Sequence, residues 1–74
     1  MWSPCKRRDI IAKLRRLGFA SPFSGKRHQF MTFNGRRQTI PNNDEFSTPQ
    51  VRMLARQIEL RIGRPIAAEE WNRL

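Results

Sequence analysis

The sequence predicts an α+β domain in the order α-β-β-β-α, with a short further helix at its end. Three observations support this. Ile10, Ile11, Leu14 and Leu17 form one apolar stripe at helical spacing, cut off by Gly18. Asn34-Gly35 stands between two runs rich in strand formers, as in a tight hairpin. Val51, Leu54, Ala55, Ile58 and Ile62 make a second helical stripe, ended by Gly63 and Pro65. Strands grouped between helices imply a three-stranded antiparallel sheet with helices on one face and the other face open to a ligand.

Taken in order, Ser3-Pro4 reads as the start of the first helix, because Ser caps and Pro suits the first helical position. Arg8, Ala12, Arg15 and Arg16 fall on the far side of its stripe. Phe19 to Phe23 is short and extended, with Pro22 marking an edge or an end. Ser24-Gly25-Lys26 makes a turn, and His28 begins the next strand. A two-residue turn at Asn34-Gly35 sets Phe33 opposite Arg36, Met31 opposite Gln38 and Gln29 opposite Ile40. One face then carries Gln29, Met31, Phe33, Gln38 and Ile40, the better core face. The other, more open face carries His28, Phe30, Thr32, Arg37 and Thr39. Asn42 to Phe46 reads as a polar loop, and Thr48-Pro49 as a second cap-then-proline helix start. Ala67 to Leu74 forms the short last helix, with Glu69 and Glu70 near its N-terminus and Trp71 and Leu74 as docking points.

With 74 residues the chain holds one domain at most, and its core is small. Dinucleotide-binding units and barrels need more chain, so any site lies on an open surface. No apolar run approaches the ~20 residues that span a membrane. Met1 to Lys6 lacks the apolar stretch of a signal peptide, and the expected address is cytoplasmic. Cys5 is the only cysteine, which excludes an internal disulfide. One Cys and one His cannot complete a four-ligand zinc site, so neither metal nor cofactor is expected.

Charge is the strongest compositional signal. Fifteen Lys and Arg against six Asp and Glu give a net charge of +9. Residues 1–41 hold ten of the bases and one acid, Asp9, whereas residues 42–74 hold five Arg and five acids. The whole excess therefore sits in the front half, which reads as a surface for a polyanion, nucleic acid first among them.

His28 is the only histidine and directly follows Gly25-Lys26-Arg27. Imidazole changes charge near neutrality, and its neutral form accepts a proton. Beside RNA the relevant proton is that of the ribose 2′-hydroxyl next to the scissile phosphate. Its removal creates an internal nucleophile, and nearby guanidinium and ammonium groups steady the charge that builds on phosphorus. With no second histidine, a Lys, an Arg or water must protonate the leaving oxygen. Gly25 would let backbone approach a phosphate, with Lys26 and Arg27 beside it, and Arg36 and Arg37 would grip phosphate at the hairpin. Phe30 is expected in the core; exposed, it would stack on a base. Trp2 and Trp71 read as packing anchors.

In order and spacing, Gly25-Lys26-Arg27-His28-Gln29-Phe30, followed by Asn34-Gly35-Arg36-Arg37-Gln38-Thr39-Ile40-Pro41, resembles the HicA toxins, small ribonucleases of bacterial toxin–antitoxin pairs. The shared pattern is a Gly, a His within a few residues, an aromatic, a turn ending in Gly-Arg, a Thr-Val/Ile-Pro strand end and a capped second helix. It spans about residues 7–62 of a single domain over 1–74, with 64–74 as an extension that either completes the core or builds a contact between copies. The resemblance implies a double-stranded-RNA-binding-domain-like fold and metal-independent cleavage of mRNA by a strand histidine. It further implies a HicB-like antitoxin that covers the site. Carried over, the catalytic residue is His28; Gly25, Lys26, Arg27, Arg36 and Arg37 are the RNA-binding residues expected from the turn and hairpin chemistry above. The commonest family motif has its histidine two places after the glycine, where Arg27 stands here. A one-residue offset on a strand reverses its face, and the register puts the third-place His28 on the more open side. Two other readings stand beside the nuclease: a non-catalytic RNA-binding module of the same fold, and an interaction subunit whose basic surface meets an acidic partner.

Overall fold

The computed structural model describes all 74 residues. Its central unit is the hairpin of β3 (Gln29–Phe33) and β4 (Arg36–Ile40), turned at Asn34 and Gly35. Both turn residues have positive φ, 49° and 78°, as a tight hairpin demands. The register is the expected one: Gln29 pairs with Ile40, Met31 with Gln38, Phe33 with Arg36. β2 (Ala20–Ser24) adds antiparallel to the other edge of β3, giving a three-stranded sheet in the order β2-β3-β4.

Met31, Gln38 and Ile40 are fully buried, so the expected core face is the real one. Against it pack Ile10 and Leu14 of α1 (Arg7–Leu17) and Val51, Leu54 and Ile58 of α2 (Thr48–Ile62), all in one buried cluster. Each such side chain stabilises the fold by roughly 1.5–3 kcal/mol relative to exposure. Gly18 ends α1 in the left-handed region, and its N–H is accepted by the Arg15 carbonyl.

The structure departs from the sequence expectations in four details. First, α1 starts at Arg7, not at Ser3-Pro4. Cys5–Lys6 instead form a two-residue strand, β1, paired antiparallel with β5 (Glu45–Phe46). Lys6 supplies no side-chain cap; the Arg7 N–H donates to the Asp44 carbonyl at 2.9 Å. Pairing distant in sequence thus took backbone groups that a local cap would have used. Second, the polar loop before α2 contains this strand, and Phe46 is buried because β1 holds it over the core. Third, the cap of α2 is Ser47, one residue before the expected Thr48. Ser47 and Gln50 form a reciprocal capping box, which Thr48 lacks a partner to make. Fourth, Phe30 is half-buried on the open sheet face, not in the core, because strand alternation puts it opposite Met31's side.

The last segment completes the core. Ile66 and Trp71, the latter in α3 (Ala68–Arg73), belong to the same buried cluster. Trp71 stacks obliquely on Trp2 at 6.1 Å, and Asn72 donates to the Met1 carbonyl at 2.9 Å, so both ends of the chain meet there. Lys13 donates to the Trp71 carbonyl at 2.8 Å and lies 5.5 Å from its ring centre. No helix is long and apolar enough to cross a membrane.

Candidate nucleic-acid interface

Gly25 to His28 forms the turn between β2 and β3. The Gly25 N–H donates to the His28 carbonyl at 3.0 Å, and Asn42 donates to the Arg27 carbonyl at 3.0 Å. A Cβ on Gly25 would sit 2.6 Å from the His28 carbonyl oxygen, so only glycine fits. The Gly25 amide is therefore used within the turn. His28 is the turn's last residue, one place before the strand in which the sequence set it. Two backbone carbonyls are tied down while the side chains of Lys26, Arg27 and His28 all stand in solvent. One imidazole and two cations thus share a short, anchored projection.

Arg7, which is not among the expected site residues, braces the same end of the sheet. Its guanidinium donates to the Gln29 side-chain oxygen at 2.6 Å and to the Pro41 carbonyl.

The open face beside this turn carries a second feature. Phe23 of β2 lies across from Phe30 of β3, ring centres 5.5 Å apart and planes 29° apart. The Arg37 guanidinium lies 4.4 Å from the Phe30 ring centre on the other side of the strand. Phe30 thus joins an exposed aromatic to a cation. Phe23 is not among the site residues expected from the sequence. Its pairing depends on two features no local pattern marks: a turn closed from Gly25 to His28, which sets Ser24 against Gln29, and a bulge farther along β2.

The other expected ligand residue goes elsewhere. Arg36 faces the core side at the far end of the hairpin, and its guanidinium donates to the Leu60 and Arg61 carbonyls at 3.3 and 3.2 Å. It caps the C-terminus of α2, where a cation is favoured by the helix dipole. Four residues of strand, about 13 Å at the usual rise, separate its rung from that of Gln29. The structure therefore brings together Gly25, Lys26, Arg27 and His28, sets Arg37 one rung in from the hairpin tip with its guanidinium over the Phe30 ring, and leaves Arg36 outside the group.

The largest groove, about 640 Å³, lies elsewhere, between the start of α1 and α3, lined in part by Lys6, Arg8, Arg16 and Asn72. It contains none of these residues, and a strand of nucleic acid needs a face more than an enclosure. Comparison with known proteins returned nothing: the chain matches no family model, no curated protein and no solved structure.

Proposed function

We propose that this chain is the toxin of a toxin–antitoxin pair, a HicA-like, metal-independent endoribonuclease on a double-stranded-RNA-binding-domain-like fold. One observation supports it above the others: the sole imidazole of the chain is exposed at the end of an anchored turn whose other side chains are Lys26 and Arg27.

In this reading message binds along the open sheet face, drawn by the +9 charge. The neutral His28 imidazole accepts the proton of the 2′-hydroxyl next to the scissile phosphate. The freed oxygen forms a bond to phosphorus, and the bond from phosphorus to the 5′-oxygen of the next nucleotide breaks. A 2′,3′-cyclic phosphate remains on one fragment. The departing 5′-oxygen takes a proton from water or from a cationic side chain of the turn. Lys26 and Arg27 offset the charge that builds on phosphorus. A HicB-like antitoxin with acidic groups would cover the turn.

The test is RNA cleavage and growth arrest, for wild type and His28→Ala, with EDTA present. A positioned general base contributes about 10²–10⁴-fold, so the alanine variant should lose that much rate. A substrate with 2′-deoxyribose at the scissile position should not be cut. Equal cleavage by the variant removes His28 from the role. The RNA-binding-module reading draws on the turn's having neither a second imidazole nor a carboxyl; binding with no product over hours would favour it.

A further inference from the structure

The three-stranded sheet contains one irregularity, and it has a directional effect. Ala20 pairs with Thr32, but the next rungs join Phe23 to Phe30 and Ser24 to Gln29. Three steps along β2 thus match two along β3, which defines a bulge. Within it, Ser21 holds φ at 57°, a conformation uncommon for any residue but glycine. A regular ladder would set Pro22 opposite Phe30 and turn Phe23 to the other face. The extra residue instead aims Phe23 outward on the same side as Phe30, Thr39 and Arg37. A large apolar ring is left 42% exposed as a result.

We propose that Phe23, backed by Phe30 and Arg37, is a stacking platform for a base of single-stranded RNA, holding the nucleotide next to the one at His28. The inference rests on the RNA reading above and adds to it where the strand lies and what it must present. Aromatic rings on a sheet accept unpaired bases of any sequence, while a cation alongside meets the phosphate. The ring pair at 5.5 Å and the guanidinium at 4.4 Å form such a surface, and the Phe30 ring adjoins Gly25, where the Lys26–His28 turn begins. Charge favours this occupant over an apolar protein surface: Arg37 and the turn add three cations to the face and no acid. A base-paired duplex offers no free base face and should bind less well.

Labelled 2′-O-methyl oligoribonucleotides with and without bases, which lack the nucleophile and so are not cut, equal in length and phosphate number, provide the test by fluorescence anisotropy. Wild type should bind the base-bearing strand about tenfold more tightly than the abasic one, within the range of a single stacked base. Phe23→Leu keeps apolar bulk but lacks the ring. It should bring the two affinities together, leave the salt slope unchanged and lower the melting temperature by only a few degrees, as for one lost aromatic pair. Phe23→Trp should preserve or widen the difference. Equal binding of both strands by wild type, or a preference undiminished in Phe23→Leu, would overturn the platform and leave phosphate-driven RNA binding standing. If neither strand binds, the RNA reading itself fails.

Discussion

Gly25 and Gln38 show how single residues carry this fold. At Gly25 the constraint is space: a methyl group would meet the His28 carbonyl oxygen at 2.6 Å, and backbone oxygen cannot swing aside. Gly25→Ala should therefore shift the turn and cost about 1–3 kcal/mol, the usual range for overpacking. A lowered melting temperature with reduced RNA cleavage is the expected pair of readouts. Gln38 is fully buried; its amide nitrogen donates to Gln57 at 2.8 Å and to the Thr39 carbonyl at 3.1 Å, but its side-chain oxygen has no partner. An unmatched buried acceptor is unfavourable by about 1–3 kcal/mol. Gln38→Met, similar in volume, should fold with stability within about 1 kcal/mol of wild type or above it, as urea titration would show.

Elements here are joined by a few polar contacts at their ends. Arg36 reaches from the hairpin tip to the last carbonyls of α2. Arg36→Ala should lower stability by about 0.3–1 kcal/mol, as for a lost cation at a helix C-terminus. It should leave the salt dependence of RNA binding unchanged, whereas Arg37→Ala should reduce the log–log slope by about 0.7. The segment entering α3 is held by Arg64, whose guanidinium takes both oxygens of Glu70 at 2.8 and 2.7 Å. Hydrogen bonding to Arg64 holds the Glu70 carboxyl below the usual carboxylate range. A carboxyl lowered in the folded state stabilises it above the unfolded-state value and loses that contribution as pH falls through the folded one. The pair is exposed, so the increment is small. Melting temperature followed from neutral into acid should fall slightly less for Glu70→Gln than for wild type.

Across the whole molecule the margin is narrow. At roughly 0.05–0.15 kcal/mol per residue, a chain of this length has about 4–11 kcal/mol of stability. Trp71 connects α3 to Trp2 and, through its carbonyl, to Lys13 of α1. Trp71→Ala should cost about 3–5 kcal/mol, a large fraction of that total. Chemical denaturation should show the midpoint falling steeply, and a partner that binds only the folded state should restore it.

Periodicity and turn chemistry, both local, determined most of the architecture. The two helical stripes, their glycine ends and the Asn34-Gly35 hairpin need no distant partner, and with them came the burial of Met31 and Ile40 and the asymmetry of charge. A histidine next to a basic turn was legible for the same reason. Tertiary structure decided what depends on pairing across the chain. β1 met β5 and moved the start of α1 to Arg7, because two short strands exchange backbone hydrogen bonds that neither has alone. Arg36 turned to a helix end some two dozen residues away in sequence, leaving the group at Lys26–His28 without it. The bulge at Ser21 placed Phe23 beside Phe30, since one extra residue reverses which side chains share a face.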